Sequence, residues 1–231
     1  MGIMDFSVFE QSIGVTFKDK ELLKQAFVHR SYLNEHKTLK LAHNERLEFL
    51  GDAVLELVVT DFLYKKFPNS QEGELTAYRS ALVNSNTLAS ISEKLNVNAF
   101  LLLSKGESKD TGRARQYILA NTFESVVGAI YLDQGYDAAA KFISEQLFGL
   151  LDEILEKQLF IDAKSRFQER AQEKVGITPV YRQVKETGPD HGKIFTIGVF
   201  LNLDLIATGD GKSKQDAEQE AARKALSMKG W

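Results

Sequence analysis

Cysteine is absent from this chain of 231 residues, which excludes disulfides and metal sites built on thiolates but assigns no compartment. Proline occurs only three times, so little in the chain interrupts a helix. No apolar run approaches the ~20 residues needed to cross a bilayer. The first residues, MGIMDFSVFEQ, lack the basic and apolar segments of a signal peptide, so a cytoplasmic protein with no membrane partner is expected. A dominant sign of charge is missing too, the formal net charge being −3. Residues 158–231 carry 12 Lys+Arg and 10 Asp+Glu, net +2, and the rest carries 17 and 22, net −5. Neither part is basic enough to bind nucleic acid by bulk charge, so any such binding must rest on clustered residues. What is present is an ordinary globular composition, 43% hydrophobic and 26% charged, in a length suited to one large or two modest domains.

The most patterned stretch is His43 to Leu55, HNERLEFLGDAVL, which opens a periodic run to about Lys65. Asn44 is placed to cap a helix, and Leu47, Leu50, Val54, Leu57 and Val58 recur at helical spacing as a buried stripe. Glu45, Glu48 and Asp52 recur at the same three- and four-residue steps, and Glu56 continues the line, so their carboxylates share a second stripe. Such a run is open to two readings: a solvated face, as most helical charge runs are, or a set of ligands for a cation. Like charges at these steps cost a helix roughly 0.2–0.5 kcal/mol per pair, and no lysine relieves them before Lys65. Hard carboxylate oxygens suit Mg²⁺ or Mn²⁺ rather than a soft metal.

NERLEFLGDAVL resembles the signature motif of the ribonuclease III family, metal-dependent endonucleases that cut double-stranded RNA. Around it, residues 6–13 and 19–30 are patterned as helices, the second ending in His29-Arg30-Ser31-Tyr32; His29 is given no chemistry. Phe67-Pro68-Asn69-Ser70 breaks the pattern. Residues 74–83, 86–95, 117–132 and 137–155 read as further helices, and 101–115 as a loop rich in glycine and charge. That makes about seven helices and no strand before residue 160.

The pattern then changes across a short join, 157–163, which has no Gly, Ser or Pro. A helix is expected at 165–175, strands at 180–186, 193–202 and 204–208, and a helix at 213–228 whose Ala217, Ala221 and Ala225 allow close approach to a sheet. This order, with the blocks GPDHGKIFTIGVF and GKSKQDAEQEAA, resembles the double-stranded RNA-binding domain. The expected fold is therefore two domains: an all-α nuclease domain at 1–156, a linker at 157–161, and a small α+β (α-β-β-β-α) RNA-binding domain at 162–231.

The resemblance implies a site. Glu48, Asp52, Asn121 and Glu124 are the expected ligands of Mg²⁺ (Mn²⁺ substituting), with Asp52 and Glu124 the catalytic pair and Glu45 and Glu72 secondary acids. Read without the family, Glu72 is a helix-start acid favoured by the dipole. Asn121 departs from the family pattern, which has Asp there, and leaves three formal negative charges rather than four. It is either a natural variant with weaker metal binding or a substitution introduced to hold substrate uncut; the active reading is preferred. Phe49 is a core residue by default, whereas the resemblance makes it the aromatic that inserts into a second subunit of a homodimer. Two sites related by a two-fold axis would cut both strands with a stagger, leaving short 3′ overhangs, 5′-phosphates and 3′-hydroxyls.

In the second domain the resemblance assigns Gln168 and Glu169 to one minor groove and Pro189 and His191 to the next. Lys212, Ser213 and Lys214 begin the last helix, where phosphate is favoured. Gln215 and Glu218 stand where many such domains carry Lys, so modest affinity is expected. Kinship points to ribosomal and messenger RNA processing. Two other readings stand beside the enzyme: a catalytically silent RNA-binding protein, supported by Asn121, and a helical scaffold, which would have no use for a repulsive acidic cluster.

Overall fold

The computed structural model describes residues 5–160, 162–189 and 193–231, and the chain divides into two compact units, residues 1–160 and 161–231. Among the described residues the first unit is helical, with α1 (Ser7–Ile13), α2 (Lys20–Ala26), α3 (Arg30–Glu35), α4 (Glu45–Lys66), α5 (Glu72–Val83), α6 (Ser85–Lys94), α7 (Arg113–Gln134), α8 (Tyr136–Leu147) and α9 (Leu151–Glu156). Helix α7 runs through the middle and is buried almost continuously from Ile118 to Ile130. Helix α4 packs along it with Leu47, Val54, Leu55, Val58, Val59 and Leu63 inward. Phe9, Phe27 and Phe100 meet edge-on or tilted at 4.9–5.9 Å beneath the amino-terminal helices, geometries that aromatic quadrupoles favour.

Several expectations are corrected. The helix expected over 19–30 stops at Ala26, and residues 30–35 form a separate helix. The break occurs because Val28 bridges Leu102 and the His29 amide donates to the Leu102 carbonyl at 3.1 Å, forcing extended backbone. His29 then caps α3, its ring nitrogen accepting from the Ser31 amide at 3.3 Å. The helix expected over 137–155 is interrupted by a tight turn at Phe148–Leu150, where Phe148 stacks on Phe62 of α4 at 3.6 Å. Helix α7 begins at Arg113 inside the expected loop. Asn44 does precede α4, but its side chain makes no cap; buried, it donates to the Ala26 carbonyl at 3.1 Å. Leu57, assigned to the buried stripe, is 57% exposed, and Phe49, core by default, is 81% exposed. Neighbouring Val58 occupies the inward position that Leu57 cannot share.

The second unit is α10 (Ala163–Val175), β1 (Val180–Thr187), β2 (Ile194–Leu201), β3 (Asp204–Gly211) and α11 (Lys214–Lys229). The strands form an antiparallel sheet in the order β1-β2-β3. Asn202, with φ of 56°, supplies the left-handed backbone of the two-residue β2–β3 turn. Small residues govern the packing here: Ala217, Ala221, Ala222 and Ala225 are fully buried, and a side chain on Gly209 would meet the Ala221 amide at 2.2 Å. Phe167 fills the core and stacks on Trp231 at 5.5 Å, so the single tryptophan reports on this unit.

Candidate active site

Between Ile118 and Ile130 of α7 only Asn121 and Glu124 escape burial. They lie one turn apart on the side that meets α4. From α4, Glu48 is partly buried and Asp52 is exposed. The start of α4 is held against α7 by one carbonyl. The Asn44 oxygen accepts from the amides of Leu47 and Glu48 at 2.8 and 2.9 Å, and the buried Ser125 hydroxyl lies 3.4 Å from it. Ser125 also donates to the Asn121 carbonyl at 2.8 Å. The backbone that fixes Glu48 and the helix that carries Asn121 and Glu124 are thus tied at one point. Nothing in the sequence marked Ser125, because a lone helical serine has no pattern.

The electrostatics show that these acids are neighbours. Burial, with the charges of Asp52 and Glu48, pushes the Glu124 carboxyl up to about 8. Burial and the charge of Glu45 also raise Glu48, Asp52 adds to the effect, and a hydrogen bond from the Asn121 side chain pulls the other way. Glu45 itself is drawn outward, 3.6 Å from Arg30 and 3.8 Å from His43. Glu56 pairs with Arg79 at 3.7 Å. Glu72 is exposed in the first turn of α5, where its carboxylate accepts from Thr76 at 3.1 Å. Among the described residues no three His, Cys, Asp or Glu side chains converge as ligands of one ion. The donor set of three carboxylates and one amide consists of hard oxygens, and the raised proton affinity of Glu124 marks a place short of positive charge. The residues present therefore fit a hard divalent cation.

A Ribonuclease-III-like family model matches residues 19–151, and a double-stranded RNA binding motif matches residues 163–228. The chain belongs to the ribonuclease III family. This is a family of endoribonucleases, in general dependent on a divalent metal. The chain is similar to the Ribonuclease 3 of Enterococcus faecalis, 46% identical over 217 residues covering 94% of each chain. It is also similar to that of Carboxydothermus hydrogenoformans, 48% identical over 221 residues covering 95% of this chain and 93% of the relative. Among solved structures it resembles the nuclease domain of ribonuclease III from Campylobacter jejuni. The identity is 40% and the TM-score 0.55, over 62% of this chain and 98% of that one; that structure was described for flexibility in a region involved in dimer formation.

Within this ribonuclease III fold the remaining expected residues fall as follows. Gln168 and Glu169 are exposed on α10, opposite the buried Ala163, Phe167 and Ala171. Pro189 is exposed after β1, and His191 lies outside the described residues. Lys212 and Lys214 are exposed on either side of Ser213, which caps α11 by accepting from the Asp216 amide at 3.1 Å. Lys214 also sits 5.8 Å from the centre of the Phe195 ring. No helix among the described residues is long and apolar enough to cross a membrane.

The departure at Asn121 has a measurable consequence. Asn121→Asp adds a fourth negative charge and removes an amide that holds the proton affinity of Glu48 down. The half-saturating Mg²⁺ concentration for cleavage is expected to fall by roughly tenfold, equivalent to ~1.4 kcal/mol. An unchanged titration and rate would show that position 121 is not a ligand.

Proposed function

We propose that this ribonuclease III family member hydrolyses double-stranded RNA at a divalent-cation site formed by Glu48, Asp52, Asn121 and Glu124. The observation that carries the reading is that Glu124 of α7, half-buried, lies close enough to Asp52 and Glu48 of α4 for their charges to add to burial in pushing its carboxyl up to about 8. When bound, Mg²⁺, or Mn²⁺ in its place, would supply positive charge at the scissile phosphate and make an attacking water more acidic. Glu48, Asp52 and Glu124 would hold the cation as carboxylates, with Asn121 offering its carbonyl oxygen. Glu124 would hold the cation as the carboxylate, its proton passing to solvent, since ligand carboxyls bind deprotonated. Water oxygen bonds to phosphorus and gives up a proton to solvent as the P–O3′ bond breaks, and O3′ takes a proton from solvent, leaving 5′-phosphate and 3′-hydroxyl ends. Glu45 and Glu72 are secondary acids at the margin.

Substrate is selected by the second unit. Gln168 and Glu169 on α10 and Pro189 and His191 after β1 would contact successive minor grooves, where 2′-hydroxyls are available. Lys212, Ser213 and Lys214 would take the phosphates between. By the same kinship the substrates are ribosomal and messenger RNA precursors in the cytoplasm.

The working form is a homodimer. Phe49, Leu57 and Tyr64 are 81%, 57% and 71% exposed and recur at seven- or eight-residue spacing along one side of α4, an apolar ridge that solvent does not favour. The wild-type chain is expected to sediment as a dimer at micromolar concentration. Phe49→Asp is expected to weaken association at least ~30-fold, the ~2 kcal/mol of an interface hot spot. A monomeric wild type overturns the dimer.

The test of activity is a long perfect RNA duplex incubated without added metal, with Mg²⁺ and with Ca²⁺, followed by end analysis. Short duplexes with 3′ overhangs in the Mg²⁺ lane alone support the enzyme. Binding in every lane with cleavage in none supports the silent RNA-binding reading, to which the uncharged Asn121 points.

A further inference from the structure

We infer that Gly51 and Gly128 are positioning residues of the carboxylate site: their missing side chains set the gap between the acids of α4 and those of α7. The inference rests on the proposed cation site. A Cβ built on Gly51 would lie 1.8 Å from the Glu124 carbonyl oxygen and 2.8 Å from the Gly128 amide nitrogen. One built on Gly128 would lie 2.3 Å from the Leu47 carbonyl oxygen and 3.1 Å from the Gly51 amide nitrogen. The contact is reciprocal, each glycine seating against the turn that contains the other.

These two turns carry the site. Glu48 lies between Leu47 and Gly51, Asp52 follows Gly51, and Glu124 owns the carbonyl that Gly51 touches. The atoms in the way are backbone, not the ends of flexible side chains, so a methyl group cannot be accommodated by a rotamer change. Restoring ordinary contact near 3.4 Å from 1.8 Å requires the helices to part by about 1.5 Å. Metal–ligand distances tolerate only about 0.2 Å. A parting of about 1.5 Å must therefore be taken up by the side chains, and the short Asp52 has little reach with which to do so.

If the glycines served packing alone, a methyl would lower stability and leave the cation affinity of the folded protein unchanged. The experiment measures Mn²⁺ binding to the full chain, without RNA, by water-proton relaxation, with folding checked by circular dichroism. Gly51→Ala and Gly128→Ala are expected to fold with lowered thermal midpoints and to bind Mn²⁺ at least 30-fold more weakly than wild type. Gly51→Ala combined with Asp52→Glu, which lengthens one acid by a methylene, is expected to recover about tenfold of that loss. Glu124→Gln serves as the reference. If it binds as wild type does, the cation site itself fails. If it binds weakly while the folded glycine variants bind normally, only the positioning role is overturned. A chain that folds with neither methyl makes the contact a folding requirement and also overturns the assignment.

Discussion

Glu124→Gln is expected to reduce cleavage of duplex RNA by at least ~10³-fold, the upper range for loss of one preorganised electrostatic group. Duplex affinity measured in Ca²⁺ is expected to remain within about twofold of wild type. The two readouts separate because Glu124 belongs to α7 of the helical unit, whereas the expected duplex contacts lie on α10 and α11. The substitution is also gentle on the fold. With its carboxyl pushed up to about 8, Glu124 in the metal-free protein holds a proton at neutral pH, and glutamine reproduces that neutral shape. The variant thus loses the charge that only the filled site requires. Cleavage near the wild-type rate would remove Glu124 from the chemistry.

The metal-free helical unit is expected to lose stability as pH rises, and a divalent cation is expected to reverse the trend. An acid whose folded pKa is raised binds more protons folded than unfolded, so its contribution is fully present below the unfolded value near 4.5. It is lost as pH climbs through about 8. The groups facing Glu124 from α4 are Asp52 and Glu48, and Glu48 is itself raised, which adds to the slope in the same direction. The total is on the order of a few kcal/mol, a drop of roughly 5–10 °C in midpoint for a unit of this size. Far-UV circular dichroism follows the helical unit, and Trp231 fluorescence follows the small one as an internal control. Added Mn²⁺ binds the ionised carboxylates and should abolish or invert the slope. Glu124→Gln should flatten it without metal. A midpoint independent of pH between 5 and 8 in metal-free wild type would contradict the crowded-carboxylate description.

Much of this fold was legible because long helices and alternating strands leave regular patterns. Periodicity marked α4 and α7, and the run of alanines foretold how closely α11 meets its sheet. Periodicity does not say what covers a face, however. Leu57 and Val58 are adjacent and equally apolar, yet only Val58 turns inward. The break after Ala26 was invisible because it is imposed from outside, by a backbone pairing of Val28 with Leu102, far away in sequence. Local preference there would have continued the helix.

The candidate site divides in the same way. The acids of α4 announced themselves by like charge at helical spacing, a costly pattern that needs a reason. Asn121 and Glu124 needed the family resemblance to be joined to them. The structure adds that both interrupt an otherwise buried stretch of α7. Ser125 and the glycine pair were out of reach of any motif, since hydroxyls and absent side chains acquire meaning only when another helix is beside them.

Anomalous diffraction from crystals grown with Mn²⁺ tests the shared-cation claim most directly. A peak is expected about 2.0–2.2 Å from carboxylate oxygens of both helices, Glu48 or Asp52 from α4 and Glu124 from α7. A peak held by acids of one helix alone, or none near Glu124 at saturating Mn²⁺, would contradict that claim.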